Sequence, residues 1–196
     1  MPGEVEPDVT DARLLTAAAA GDREAYQVFV RRHQAALFRY AQVLTAREAD
    51  AEDVLQRAFL AAWRAAGQAR REGAEKAWLR TILRHEAQRF GRLRAGQESH
   101  DASFEALGEA AGFASEGDPE HALALTEQRE QLTRALSALP PDDQEVLVLY
   151  ELDGLTADEV ASVRGESRAA IKSRVHRARL RLLAALREGG CDAWRA

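Results

Sequence analysis

Arg168, Lys172, His176 and Arg179 recur at three- and four-residue spacing, interleaved with Ile171, Val175, Ala178 and Leu182. Wound into a helix, this spacing gives an apolar back and a cationic front. Such a front can neutralise phosphates and hydrogen-bond base edges, which is nucleic-acid recognition rather than covalent chemistry. Just upstream, Thr156-Ala-Asp-Glu159 has capping-box spacing. Ala161 is small enough to let two helices cross closely, and Gly165, four residues on, can take a left-handed turn. With Ile171 placed to dock the second helix, these residues predict a helix-turn-helix. Base reading falls near the N-terminus of the second helix, chiefly to Arg168, Ala169, Lys172 and Ser173. Ser167, Arg174, His176, Arg177 and Arg179 complete the expected DNA-binding face.

Other chemistries find less support. Asp50 and Asp53, three residues apart on a predicted helix, have the spacing to share a divalent cation. A facing acidic motif is needed as well, and the next acidic cluster lies in a low-complexity stretch. His33, His85, His100, His121 and His176 form no HExxH or other metal spacing, and no G-x-x-x-x-G-K or G-x-S-x-G occurs. No catalytic residue, metal ligand or cofactor is therefore assigned, and a non-enzymatic protein is expected. Cys191 is the single cysteine, so no intrachain disulfide forms, and an inert thiol near a loose end is expected.

The elements that must position these residues are helical. The chain has 196 residues, 46% hydrophobic and 30% charged with 5 prolines, and its frequent Ala, Leu, Arg and Glu favour helix. A short helix is predicted from an Asp11 cap to Gly21, and a longer one from an Asp22 cap through Tyr26, Phe29, Val30, His33, Leu37, Ala41 and Leu44. Thr45-Ala-Arg-Glu48 predicts a capping box for a third helix that carries Val54, Leu55, Ala58, Phe59, Ala62 and Trp63 inward to about Gly67. After a polar loop with Arg70 and Arg71, a fourth runs from about Glu75 to Leu93. Four helices with short connections can close one core. Residues 95–119 lack sustained periodicity and predict a linker, with one weak helical turn around Phe104 to Ala111. Helices then lead to Pro140-Pro141, from about Asp142 to Leu152, and from Thr156 to a close before Arg164-Gly165; the last, capped by Ser167, runs to Arg187 before Gly189-Gly190.

Charge is segregated along the chain. The net charge of −5 argues against indiscriminate nucleic-acid coating. Between Arg94 and Arg129 there is no Lys or Arg, whereas from Arg164 to Arg187 the basic residues are opposed only by Glu166. More than one charged partner is implied. Met1 to Val9 is acidic where a secretory signal is positive, and no long uncharged apolar run follows, so a cytoplasmic protein without membrane insertion is expected.

The stretch from Leu136 to Leu186, with Leu-Pro before its first helix, Glu-Val-Ala in the helix-turn-helix and Lys-Ser-Arg followed by Arg-Ala-Arg, resembles the promoter-binding C-terminal domain of extracytoplasmic-function sigma factors. The resemblance implies recognition of the −35 element. DAEDVLQRAFLAAW, Asp50 to Trp63, is similar to the helix by which sigma factors grip core RNA polymerase, which implies that Asp50, Glu52, Asp53 and Gln56 make that contact. KAWLRTILRHEAQRFGRLR, Lys76 to Arg94, resembles the segment that opens and reads the −10 element. Trp78, Arg80, Arg84, His85, Arg89 and Arg92 are its implied DNA-binding residues, although Trp78 also fits a core position. Arg57 stands where the family commonly has Glu, His85 where Asn is usual, Arg89 where Asp is common and Ala170 where Thr is usual. The acidic linker fits either an RNA mimic in the polymerase channel or a plain spacer.

The resulting expectation is an all-α protein of two small helical domains joined by a flexible acidic linker. Residues 1–10 form a tail, 11–94 the domain for core polymerase and the −10 element, 95–119 the linker, 120–188 the −35 domain, and 189–196 a second tail. Core RNA polymerase and promoter DNA are the implied partners, and an anti-sigma factor is a family expectation. The rival reading is a stand-alone helix-turn-helix regulator, which would bind a palindromic site as a two-fold dimer.

Overall fold

The computed structural model describes residues 9–45, 47–68, 73–94 and 119–188, and every regular element among them is helical. The expected linker, its weak helical turn, Arg70, Arg71, the residues after Glu188 and the first eight residues lie outside this range. Pro119, assigned to the linker, is instead the first residue of a helix.

The N-terminal unit comprises α1 (Asp11–Ala19), α2 (Arg23–Leu44), α3 (Glu48–Arg64), a 3-10 turn (Ala66–Gln68) and α4 (Glu75–Arg94). The cap of α1 is Thr10, not Asp11: the Thr10 hydroxyl accepts from the Arg13 amide. Asp11 is drawn away by α2, where its carboxylate lies 2.5 Å from Arg32 and 2.7 Å from His33. At the other end, the Gly21 and Asp22 amides donate to the Ala18 and Ala17 carbonyls, and Gly21 has φ of 97°. That closing motif demands a left-handed residue. Asp22 then accepts from the Ala25 amide, as the spacing predicted, and starts α2.

The capping box expected at Thr45 does not form. Thr45 follows α2, and its hydroxyl turns back to the Ala41 carbonyl at 3.0 Å, a local bond that competes with capping. The cap of α3 is Arg47, which makes no side-chain bond to the helix backbone and instead clasps the Asp50 carboxylate at 3.2 and 3.3 Å. Asp50 and Glu48 still place negative charge in the first turn, where the helix dipole favours it.

The C-terminal unit comprises α5 (Pro119–Ser137), α6 (Pro141–Leu147), a π-helical turn (Val148–Leu152), α7 (Ala157–Arg164) and α8 (Arg168–Glu188). Pro140 precedes α6 and Pro141 opens it, a position where the missing amide costs nothing. The single helix expected from Asp142 to Leu152 switches to π geometry at Val148. Gln144 donates 2.8 Å to the Leu139 carbonyl and ties α6 to the end of α5.

The two units are packed together. α6 lies against α2 and α7 against α4, and buried apolar residues from both units, from Leu14 to Ala178, form one continuous cluster. Phe29, Leu37, Tyr40, Leu79, Leu83, Val146, Leu149 and Ile171 have no exposed surface. Each such side chain contributes about 1.5–3 kcal/mol by leaving water. Among the described residues no helix is long and apolar enough to cross a membrane.

Candidate nucleic-acid interface

Thr156 sets the geometry of the helix-turn-helix. Its hydroxyl accepts from the Glu159 amide at 3.3 Å, while Glu159 accepts from the Thr156 amide at 2.7 Å, so the predicted capping box is present. At the other end of α7, Gly165 has φ of 69° and ψ of 32°, and the Glu166 amide donates to the Ala161 carbonyl at 3.0 Å. The chain thereby reverses into α8, whose first turn is capped by the Ser167 hydroxyl on the Ala170 amide at 3.2 Å.

α8 docks through Ile171, Val175 and Ala178, all buried, with Leu182 partly so. Ser167, Arg168, Ala169, Lys172, Ser173, His176 and Arg177 lie on the exposed side. Arg177 donates to the Ser173 hydroxyl at 2.5 Å, and Arg168 sits 3.5 Å from Asp158, both in the open. Three further arginines of this helix also meet carboxylates. Arg174 is half-buried, 3.6 Å from Asp142 and 3.5 Å from Glu166. Arg179 is 2.6 Å from Glu151 and lies over the Tyr150 ring, and Arg181 is bonded to Asp143. Arg168 and Lys172 are exposed in the first turns of α8, where a helix entering a major groove reads base edges.

A buried charge centre supports this face. Arg164, 3% exposed at its side chain, bonds Glu145 and lies 3.0 Å from Asp142 and 2.7 Å from Glu166. Burial acts to lower its pKa, but the surrounding carboxylates more than offset that and hold it above its ordinary value. Asp142 is held below the usual carboxylate range, first by its hydrogen bond from Arg164. Arg164 therefore stays charged and fixes the turn between α7 and α8 to the start of α6.

In the N-terminal unit, Glu52, Asp53 and Gln56 lie exposed along α3, whereas Asp50 is buried against Arg47. That engagement removes Asp50 from a shared cation site with Asp53. Beside the exposed edge, an apolar cleft of about 420 Å³ is lined by Arg23, Tyr26, Gln27, Gln56, Phe59, Leu60 and Trp63. Leu60 is 51% exposed, and Phe59 and Trp63, assigned inward from their spacing, line this cleft instead of being fully buried. Arg57, the atypical residue, lies with its guanidinium 5.3 Å from the centre of the Phe90 ring, a cation–π contact that links α3 to α4.

α4 divides its basic residues. His85, Arg89 and Arg92 are exposed, with Arg89 3.0 Å from Glu86, and Trp78 packs partly buried against the core. Arg80 and Arg84 are turned toward the C-terminal unit. Arg80 is 2% exposed and donates to Asp153 at 2.5 Å, while Arg84 donates to Glu145 at 2.9 Å. Tyr40 donates its hydroxyl to the same Glu145 oxygen at 2.7 Å. Burial, and then the Glu145 carboxylate, push the Tyr40 phenol well above its ordinary pKa, so it remains a donor. Glu145, Asp153 and Tyr40 were not singled out in the sequence. Asp153 has the composition of an ordinary turn, and no local signal announces a partner 73 residues away.

Fold and site together define a helical DNA-binding protein of two units with a helix-turn-helix in the second. Residues 29–97 match the model of Sigma-70 region 2, and residues 129–182 that of Sigma-70 region 4. The chain is 34% identical over 173 residues to the extracytoplasmic-function RNA polymerase sigma factor SigM of Mycobacterium tuberculosis, covering 88% of this chain and 83% of SigM. It is 32% identical over 186 residues to the sigma factor CnrH of Cupriavidus metallidurans, covering 93% and 97%. Similarity to the probable sigma factor RfaY of Xanthomonas campestris reaches 36% over 178 residues, but there the chain spans only 44% of the relative's length. Among solved structures, CnrH in complex with the cytosolic domain of CnrY superposes with a TM-score of 0.62 at 28% identity, covering 91% of this chain and 97% of that one. The sigma factor RpoE bound to the anti-sigma factor NepR from Bartonella quintana gives 0.60 at 27%, covering 82% and 98%. The chain belongs to the extracytoplasmic-function RNA polymerase sigma factors, and its work is transcription initiation.

Proposed function

We propose that this sigma factor binds core RNA polymerase through α3, follows the −10 element with α4 and reads the −35 element with the first turns of α8. The domain limits are those of the sequence reading, 11–94 and 120–188. The observation that carries the proposal is the exposed basic face of α8: Arg168, Lys172, His176 and Arg177 lie open on the side away from the buried Ile171, Val175 and Ala178. Glu52, Asp53 and Gln56, with Leu60 and the adjoining cleft, suit an amphipathic helix with a basic edge. The acidic α3 edge and the match to two sigma regions weigh against a stand-alone regulator.

The chain performs no chemistry in this reading and acts in the cytoplasm. Its contribution is binding: each unit alone is a weak DNA reader, and the polymerase scaffold supplies alignment and effective concentration. An anti-sigma partner follows from the relatives solved as such complexes. Run-off transcription with purified core polymerase on selected promoter DNA tests the proposal. Initiation that requires this chain supports it, and tight dimeric binding to a palindrome without polymerase overturns it.

A further inference from the structure

The cleft between α2 and α3 has the size and the walls of a ligand site. Its volume of about 420 Å³ lies within the range of about 300–1,000 Å³ usual for small-molecule pockets, which are mostly apolar and aromatic inside. Tyr26, on α2, and Trp63, on α3, meet edge to face, with ring centroids 4.9 Å apart and an interplanar angle of 64°. The Tyr26 hydroxyl donates to the Phe59 carbonyl at 2.5 Å, so its hydrogen is committed to the wall and the cleft receives the ring. Phe59 and Leu60 supply further carbon surface. A flat apolar body is the shape such walls take up.

Charge selects the head group. Arg23 is the only charged residue that lines the cleft; Glu52 and Asp53, on the neighbouring edge of α3, do not line it. The Arg23 side chain is exposed and makes no ion pair or hydrogen bond among the described residues. It also opens α2, where the helix dipole disfavours a cation, so its charge does not serve the helix. A guanidinium with its donors free bonds a carboxylate through two parallel hydrogen bonds. Gln27, one turn further on the same face of α2, adds amide donors beside it.

We infer that this cleft binds a small aromatic carboxylate, its ring held among Tyr26, Phe59 and Trp63 and its carboxylate on Arg23, and that occupation of the cleft excludes core RNA polymerase. The exclusion rests on the reading of α3 given above. Gln56 and Leu60 line the cleft and also belong to the edge assigned to polymerase, so a ligand and a polymerase helix compete for the same surface. A small-molecule acid could thus withhold the chain from polymerase while the exposed basic face of α8 stays open.

Isothermal titration of the full chain with 2-naphthoate tests the site. The comparators are 2-naphthamide, which has the ring without the charge, and acetate, which has the charge without the ring. Naphthoate is expected to bind at a single site, more tightly than either comparator by about fivefold or more. Arg23→Gln should erase the preference for naphthoate over naphthamide, whereas Arg31→Gln, the same charge change at an exposed position further along α2, should leave it intact. Surface plasmon resonance on immobilised core polymerase, with and without saturating 2-naphthoate, reads the exclusion. At least a threefold loss of affinity is expected, with a smaller ligand effect in Arg23→Gln. Absent naphthoate binding, equal binding of either comparator, or an equal loss of preference in Arg31→Gln overturns the site. Selective naphthoate binding with unchanged core affinity supports the site and overturns the exclusion, together with the placing of polymerase on this edge of α3.

Discussion

Replacing Gly165 by Ala isolates the backbone cost of the turn that aims α8. Gly165 has φ of 69°, and a Cβ built there meets nothing within 4 Å. No steric clash with neighbours enters, so the penalty is conformational. Holding an L-residue in the left-handed region costs about 1–2 kcal/mol. Reduced freedom of the unfolded chain returns about 0.4–1 kcal/mol, as in other Gly-to-Ala changes. The expected net loss is about 1 kcal/mol, roughly a fivefold change in the folded-to-unfolded ratio. Gly165→Asn should lose less, because Asn visits this region with local hydrogen bonding. Urea unfolding followed by circular dichroism measures both. A Gly165→Ala loss above about 3 kcal/mol would reveal a packing clash that the open space denies. Equal losses for Ala and Asn, or none for either, would refute the left-handed turn as the source of the cost.

Three further outcomes follow from the site. Arg168→Ala and Lys172→Ala should each weaken promoter-specific run-off transcription by about tenfold or more, the range of a lost base contact, while core polymerase binding is retained; unchanged promoter selectivity in both would remove the base-reading face. Tyr26→Phe, which deletes the 2.5 Å bond from the Tyr26 hydroxyl to the Phe59 carbonyl, should cost about 0.5–1.5 kcal/mol in urea unfolding. Burial pushes the Tyr26 phenol up to about 12, with the Trp63 backbone opposing, so its contribution is full below pH 10 and lost as pH rises through 12. Spectrophotometric titration should lose one late tyrosinate in Tyr26→Phe, and an unaltered curve would contradict this. His33 is held below its ordinary pKa of 6.5, chiefly by burial, with Asp11 opposing and Arg80 and Arg32 assisting. Its neutral form is the folded one, so its contribution is complete above pH 6.5 and falls as pH drops toward the depressed value. A ring-proton NMR midpoint above 6.5 would reverse that sign.

Local signals and long-range contacts divide the legibility of this chain. Thr156, Glu159, Gly165 and Ser167 act within one or two turns of themselves, and so the helix-turn-helix could be read from spacing. The same logic misfired at Asp11 and Thr45, where a nearby acceptor or cation outcompeted the helix end. Phe59 and Trp63 share the spacing of core residues, yet both are only partly buried and line a cleft. The π turn at Val148 left no periodic trace.

Sequence by itself determined the helical class, the two sigma-like regions and the cationic front of α8, because periodicity, capping and turn chemistry are properties of neighbouring residues. Only the tertiary structure decided what the α4 arginines meet. Arg80 and Arg84 have the composition of a strand-binding surface, but whether they face solvent depends on Asp153 and Glu145, brought to them by packing of α6 against α2 and α7 against α4. Charge chemistry is written locally, whereas its partner is chosen by the fold.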